Sequence, residues 1–159
     1  MRLLSIPVFA AALLPCACSG QAAGTSAPAR EREAASTHTA KESMKIRIVA
    51  GSREFTATLE DNAAARDFAT LLPLELILRD YNRTEKIADL PKRLSTEGAP
   101  DGIDPEIGDL AYYAPWGNLA IFYRDFSHSR GLVRLGHLES GIEYLAARDG
   151  APIRIERLP

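Results

Sequence analysis

Apolar and polar residues alternate with a period of two where the globular part of the sequence begins. Over residues 45–50, Ile46 and Ile48 alternate with charged residues, and a Gly-Ser pair at 51–52 leads into a second alternating run at 53–59. A period of two is typical of a strand that buries one face, and a short Gly-containing connection is typical of a hairpin. The pattern therefore predicts an N-terminal β-hairpin with an apolar inner face.

Helix-start signals occur twice in the sequence. The Asp-Asn pair at 61–62 offers an N-cap for a short helix that runs to about residue 71, before a proline stops it. Ser140, with Glu143 three positions later, forms a capping box, which predicts a second short helix ending before residue 150.

The remaining apolar runs have the length and alternation of short strands. Residues 91–108 are instead rich in Pro, Gly and Asp, which predicts a long loop, and long ordered loops on small domains often carry function. Seven or eight short antiparallel strands with two short helices favour a mainly β fold, a closed barrel, because closure removes exposed strand edges. The further strands are expected at 74–78, 85–88, 109–114, 119–124, 132–138 and 153–156.

Residues 1–18 have the features of an export signal. Arg2 supplies the positively charged n-region of a signal peptide. The apolar stretch at 3–14 is shorter than the roughly 20 residues that a membrane-spanning helix needs. Cys18, flanked by small residues, resembles the acylated cysteine of a bacterial lipoprotein, although Pro15 stands where leucine is usual. We predict an exported envelope protein held to the membrane by a lipid anchor, in the periplasm or on the outer surface. Ordinary cleavage near residues 22–23, which gives a soluble secreted protein, and a cytosolic protein with a misread start are the alternatives.

Residues 19–43 contain no Val, Ile, Leu, Met, Phe, Trp or Tyr. Such a segment cannot bury enough apolar surface to offset the entropy that is lost when a chain becomes ordered. We therefore expect a flexible linker between the signal and a single domain that spans residues 44–159.

Composition and charge exclude several classes of protein. The sequence has 19 Lys and Arg against 21 Asp and Glu, a net charge of −2, which argues against a nucleic-acid partner. With 46% hydrophobic and 25% charged residues it is neither wholly disordered nor a polytopic membrane protein. Both cysteines precede residue 19, so the domain has no disulfide, thiolate nucleophile or cysteine-rich zinc site.

Motifs of the common catalytic and cofactor sites are missing from the sequence. It has no His-Glu-x-x-His zinc motif, no Gly-x-Ser-x-Gly nucleophile elbow, and no phosphate-binding or dinucleotide fingerprint. Four acidic residues raise the alternative of an oxygen cage for Ca²⁺, but they lack the EF-hand spacing, and we expect a solvated acidic loop. We therefore predict no catalytic residue, no metal ligand and no cofactor. The four acidic residues are Asp101, Asp104, Glu106 and Asp109.

Several strings within residues 44–159 match a known pattern. Together they resemble the small bacterial and archaeal cyclophilin-like family, whose members carry a compact cyclophilin-type β-barrel. The resemblance implies an eight-stranded antiparallel barrel closed by two helices, and it implies little about chemistry. The most specific string is GDLAYYAPWGNLAIFY at 108–123; the others are IRI at 46–48, FTATL at 55–59, DYN at 80–82, EK at 85–86, LSTEG at 94–98 and GLVRLG at 131–136.

Prolyl isomerase activity is one alternative that the resemblance raises. True cyclophilins have a Phe-His-Arg-Val-type strand, a Gln-Gly-Gly-Asp loop and a Gly-Ser-Gln-Phe-Phe segment, and none of these strings occurs here. Isomerisation also needs a guanidinium aimed at the prolyl nitrogen. Arg79, Arg124 and Arg134 lie on expected strands, but no motif singles one out, and a shared fold does not by itself carry the activity.

Aromatic residues are concentrated between positions 112 and 126. Strand alternation places Tyr112 and Tyr113 on opposite faces, and likewise Phe122 and Tyr123, so one member of each pair faces away from the barrel interior. Trp116 lies in an expected turn, where a large ring is hard to bury. Tyr and Trp combine apolar area with a hydrogen-bonding tip, which suits a binding surface. Rings that fill the barrel and cover its mouth are the alternative.

These observations predict a non-catalytic domain that binds a small molecule or peptide in an aromatic cleft. A peptidyl-prolyl isomerase of the cell envelope and a structural or accessory subunit of an envelope complex remain the alternative functions. Polar residues in the family-like strings could instead hold loops through hydrogen bonds to the backbone. The candidate ligand-binding residues are Tyr81, Asn82, Glu85, Tyr113, Trp116 and Tyr123.

Overall fold

The computed structural model describes residues 43–159. The expected signal at 1–18, including Cys18, and the expected linker through residue 42 lie outside the described residues. In the described part of the chain, no helix is both long and apolar enough to cross a membrane.

Eight strands close into an antiparallel barrel in the order β1-β10-β3-β4-β7-β6-β9-β2, and β5 pairs separately with β8. This confirms the mainly β class and the closed barrel with two short helices. The elements are β1 (Lys45–Ala50), β2 (Arg53–Leu59), α1 (Ala63–Thr70), β3 (Leu74–Tyr81), β4 (Glu85–Asp89), β5 (Gly102–Ile103), β6 (Asp109–Tyr113), β7 (Asn118–Phe122), β8 (Ser129–Arg130), β9 (Leu132–Leu138), α2 (Ile142–Ala146) and β10 (Ala151–Arg157).

The core consists of a filled barrel interior and a second, smaller cluster on the outer face. Alternate residues of every barrel strand point inward, as the two-residue period requires. The outer cluster lies over β4, β6, β7 and β9, where the loop that carries β5 covers the sheet. Its buried members are Ala111, Ala120, Phe122 and Leu132, with Ile87, Ile103 and Tyr113 partly buried against them. Ile103 is the member of this cluster that comes from the loop, and its apolar contact packs the loop against the barrel.

Helix α1 begins as the sequence predicts. The Asn62 side chain caps it by accepting a hydrogen bond from the Ala65 backbone N–H at 2.8 Å. Phe68, near the C-terminal end of α1, is fully buried, and its packing holds the helix against the barrel.

The predicted capping box of the second helix is wrong. Helix α2 begins after Gly141, which has a left-handed φ of 88°, and no side chain caps it. The ring of Phe55 lies 2.1 Å from where a Cβ of Gly141 would be. Packing against Phe55 therefore sets the start of this helix, and it leaves Ser140 outside the capping position.

The expectation of a solvated acidic loop is wrong for Asp109. This side chain is buried and forms an ion pair with Arg134 at 2.7 Å, and it lies 3.2 Å from the imidazole Nδ1 of His137. It also accepts a hydrogen bond from the Glu106 backbone N–H at 3.0 Å. The sequence pattern missed this because Arg134 and His137 lie on β9, the neighbouring strand in the barrel but distant in sequence.

Candidate functional site

A pocket of about 240 Å³ lies on the outer face of the barrel, where the β3–β4 hairpin, the β6–β7 turn and the segment between β7 and β9 meet. We call it the outer-face pocket. Its lining is mainly aromatic and aliphatic, with a few polar side chains, which is the usual composition of a ligand site. The lining residues are Tyr81, Asn82, Thr84, Glu85, Tyr113, Trp116, Asn118, Phe122, Phe126, Ser129 and Leu132.

The β3–β4 hairpin supplies one wall of the outer-face pocket. Asn82 and Arg83 have φ values of 52° and 55°, and the Thr84 N–H donates to the Tyr81 carbonyl at 3.1 Å. Two central residues with positive φ are typical of the tight turn that joins adjacent antiparallel strands. The turn places Tyr81 directly opposite Glu85 across the two strands, on the outer face.

The β6–β7 turn supplies the aromatic wall. The Gly117 N–H donates to the Tyr113 carbonyl at 2.8 Å, and the Arg93 guanidinium donates to the Ala114 carbonyl at 2.7 Å. The Trp116 ring projects from this turn and remains 55% exposed. A large ring so exposed on a turn that is held by several hydrogen bonds is available for contact with a ligand.

Trp116 packs against two tyrosines that line the same pocket. Its ring centroid lies 5.3 Å from that of Tyr81 and 5.4 Å from that of Tyr113, in edge-to-face geometry both times. Aromatic pairs of this geometry contribute about 0.5–1.5 kcal/mol beyond the area they bury. The three rings therefore stabilise one another in one arrangement, although Tyr81 and Trp116 are largely exposed.

Five of the six candidate residues lie together in this pocket, and Tyr123 does not. Phe122 is the member of its pair that faces outward, where it is buried in the pocket wall. Tyr123 follows on the other side of the strand and donates its hydroxyl to Asp80 at 2.7 Å. Asp80 in turn accepts a hydrogen bond from the buried Lys86 ammonium at 2.9 Å.

The group of Asp80, Lys86 and Tyr123 is internally satisfied. The hydrogen bonds from Tyr123 and Lys86 hold the pKa of Asp80 below its ordinary value, despite its partial burial. Burial and the bond to Asp80 raise the pKa of Tyr123 to about 12. Lys86 is only 1% exposed, so this acid is the counter-ion that makes its burial possible. Because the three groups satisfy one another, we assign them a structural role.

Glu85 has the opposite environment. Burial raises the pKa of its carboxyl from 4.5 to about 7. It is the only charged side chain in the lining of the outer-face pocket as described. Desolvation without a compensating charge disfavours the ionised form, so the pocket holds a carboxyl that titrates near neutral pH. Perturbed groups of this kind are concentrated at functional sites.

Asn118 is the second polar group of interest in the pocket wall. It is 2% exposed, and its side-chain oxygen has no hydrogen-bond partner among residues 43–159. Its amide nitrogen makes one long contact, 3.4 Å, to the Leu119 carbonyl. A buried acceptor without a donor costs about 1–3 kcal/mol, and such groups are uncommon in native proteins.

Sequence reasoning missed several lining residues, chiefly Asn118, Phe122 and Phe126. The alternation that assigns Phe122 and Tyr123 to opposite faces could have identified Phe122, once the inward face of β7 was known from Leu119 and Ile121. Phe126 is brought in by the segment that connects β7 to β8, and no local pattern indicates that. Within the described range, no cluster of three or more His, Cys, Asp or Glu could hold a metal ion.

Comparison with known proteins shows which family has this architecture. The sequence model of the cyclophilin-like family matches residues 48–156. The chain belongs to the cyclophilin-like family. A solution structure of a hypothetical protein from Archaeoglobus fulgidus is similar to this cyclophilin-like domain, with a TM-score of 0.54 and 20% sequence identity, over 73% of this chain and 95% of the archaeal one. At that identity the similarity concerns the fold alone. None of the curated proteins matches the chain.

Proposed function

We propose that this cyclophilin-like protein is a binding domain that takes up a small molecule or a short stretch of extended peptide in the outer-face pocket. The proposal includes export and attachment to the envelope membrane through an acylated Cys18. The sequence pattern at residues 1–18 supports that second part.

The observation that carries the binding proposal is the combination of open aromatic rings with unpartnered polar groups in one concave site. Trp116 and Tyr81 are 55% and 42% exposed, whereas the Asn118 oxygen in the same pocket is buried and has no donor among residues 43–159. Apolar walls with a few convergent polar groups are typical of small-ligand sites. A bound ligand would cover the rings and could donate to the acceptor that the described chain leaves unpartnered.

Prolyl isomerisation, the enzymatic alternative, receives no support from the lining of this pocket. The outer-face pocket, as far as the described residues line it, contains no arginine or lysine, whereas that reaction requires a guanidinium at the prolyl nitrogen. Arg93, whose guanidinium supports the β6–β7 turn from the β4–β5 connection, is engaged with the Ala114 and Pro115 carbonyls. A role in binding therefore fits the geometry better.

Ligand-observed NMR on the full-length chain tests the binding proposal with three probes. Phenethylamine is a cationic aromatic, tyrosol a neutral aromatic, and N-acetylproline N-methylamide a peptide-like probe. We expect at least one to bind, and Trp116→Ala to weaken that binding by about 10-fold or more, because a hot-spot tryptophan contributes 2 kcal/mol or more.

Ile77→Ala is the matched control for Trp116→Ala. Ile77 is also 55% exposed and lies on the outer face of β3, but it does not line the outer-face pocket. Its variant should bind the probes as the wild type does. Failure of all three probes to bind, or equal binding by Trp116→Ala and the wild type, would contradict the proposed function.

A further inference from the structure

The lining of the outer-face pocket includes two side-chain acceptors, on Asn118 and Glu85, that the described residues leave without donors. One is the buried oxygen of Asn118. The other is the carboxyl of Glu85, which has no ion-pair or hydrogen-bond partner in residues 43–159. Burial is the cause of its raised pKa. Other acidic side chains nearby are paired: Asp80 binds Lys86, and Asp109 binds Arg134. Because both unpartnered groups accept hydrogen bonds, a complementary ligand donates them.

Strand register separates the two acceptors along the pocket floor. Glu85 lies opposite Phe122 at the end of β7, and Asn118 begins that strand four residues earlier. At about 3.3 Å per residue, their backbone positions are about 13 Å apart along the strand. The Trp116 ring bridges the two ends, since it packs on Tyr81 opposite Glu85 and on Tyr113 opposite Asn118. The site is therefore an elongated slot with an acidic end and an amide end.

We propose that the outer-face pocket binds a small organic ammonium ion, with its charged group at Glu85 and an O–H or N–H donor at its other end facing Asn118. The inference rests on the proposed function and names the chemical class of its ligand. A ligand cation supplies the counter-charge that Glu85 lacks, and nearby aromatic rings stabilise cations further, tryptophan most strongly. An anion would meet a carboxylate with no positive side chain in the lining, which is unfavourable.

The side chains around Glu85 leave it free to interact with the ligand. It lies opposite Tyr81 on β3 and opposite Phe122 on β7, and Trp116 lines the same pocket. The arginines on the adjoining segments, Arg83 in the β3–β4 turn and Arg124 after β7, do not line it. Lys86, the adjacent cation on β4, points to the barrel interior, where it is bonded to Asp80. The charge of Glu85 is therefore the one that a ligand in this pocket meets first.

Calorimetric titration of the full-length chain with three matched amines and alcohols tests the inference. Tyramine carries an ammonium group at one end and a phenolic hydroxyl at the other; tyrosol replaces the ammonium with a hydroxyl; phenethylamine lacks the phenolic hydroxyl. We expect tyramine to bind about 10-fold or more tightly than tyrosol, and a few-fold more tightly than phenethylamine. Equal affinities for tyramine and phenethylamine would overturn the role given to Asn118.

Glu85→Gln separates charge from shape. The variant should lose the preference for tyramine over tyrosol, whereas Glu97→Gln, which removes an exposed carboxylate from a loop outside the pocket, should keep it. Equal tyramine and tyrosol affinities in the wild type, both lost in Trp116→Ala, overturn the ammonium inference and leave the proposed function standing. Affinities that Trp116→Ala does not change overturn both.

The pH dependence adds a second readout. Tyramine stays protonated between pH 6 and 8, while the carboxyl of Glu85, with a pKa of about 7, becomes ionised over that interval. The affinity of the wild-type protein for tyramine should therefore rise about 10-fold from pH 6 to 8. Tyrosol affinity should not rise, and tyramine affinity for Glu85→Gln should stay constant. A pH-independent tyramine affinity in the wild type would contradict the inference.

Discussion

Glu85 and Lys86 are neighbours in sequence and lie in opposite environments. Lys86 points into the barrel, where Asp80 neutralises it at 2.9 Å. Glu85 points to the outer face, where the rings of Tyr81 and Phe122 lie opposite it on the neighbouring strands. The alternation of a β-strand makes this contrast unavoidable once one of the two residues faces the core. The buried cation is structural, and the partly buried carboxyl is available for a ligand.

The pKa of Glu85 predicts how stability depends on pH. A raised pKa means that the folded protein retains a proton between about 4.5 and 7, where the unfolded chain has released it. The free energy of unfolding therefore falls as pH rises through that window and levels off above it. Relative to Glu85→Gln, the wild type should lose on the order of 2 kcal/mol between pH 4.5 and 8, after allowance for solvent screening.

Denaturant melts of both chains across this pH range measure that difference. Glu97→Gln, whose carboxylate is exposed, should follow the wild-type curve at every pH. If the wild type and Glu85→Gln show the same pH profile, the Glu85 carboxyl is not desolvated as described.

At the scale of elements, two glycines with positive φ flank helix α2. Gly141 lies at the start of α2 with a φ of 88°, and the Phe55 ring fills the space beside it. Gly150 lies between α2 and β10 with a φ of 66°, and nothing lies within 4 Å of its missing Cβ. The two positions share the backbone requirement and differ in packing. They therefore allow strain and overlap to be measured separately.

Gly141→Ala should destabilise the protein more than Gly150→Ala. At Gly150 the cost is that of a positive φ for alanine, about 1 kcal/mol. At Gly141 a Cβ would lie 2.1 Å from the Phe55 ring, so that ring must move, which adds about 1–3 kcal/mol. Thermal unfolding of the two variants gives the comparison. Equal losses would show that α2 does not pack on Phe55 as described.

Element prediction from the sequence succeeded where local chemistry decides the outcome. Asn62 caps α1, and the alternation at 45–59 gives the first hairpin. It failed at Ser140, because contact with Phe55, distant in sequence, sets the start of α2. Long-range packing cannot be read from a short window of residues.

The candidate site shows the same limit. Trp116 and Tyr113 were predictable, since a turn and a period of two place their rings outside the barrel. Tyr123 was expected beside them, but it follows the last residue of β7 and points to the opposite side of the sheet from Phe122, where it bonds to Asp80. The inward face of β7 decides between Phe122 and Tyr123, and only pairing with β4 and β6 fixes that face.

At the scale of the whole molecule, the barrel is filled, so a ligand has no room inside it. The interior is occupied by apolar side chains from all eight strands, and the outer-face pocket lies outside it, between two turns and the segment that connects β7 to β9. Binding residues on loops that a rigid scaffold positions are a common arrangement. We propose that a lipid anchor holds this scaffold at the envelope membrane.

Cys18→Ser tests the anchor. Acylation at this cysteine predicts that the wild-type protein fractionates with membranes and that the variant is released into the soluble fraction, because a thioether-linked lipid needs the thiol. Cys16→Ser is the matched control and should remain with membranes. Identical fractionation of Cys18→Ser and the wild type would contradict lipid attachment at Cys18.

The central claim, that the outer-face pocket binds a ligand, is tested most directly by locating a bound probe. An intermolecular nuclear Overhauser spectrum of the full-length chain with the tightest-binding probe can use the indole of Trp116, the only tryptophan in the sequence. The account predicts cross-peaks from the probe to the Trp116 indole and the Phe122 ring. A bound probe with cross-peaks only to residues outside the pocket, such as Ile77, would contradict it.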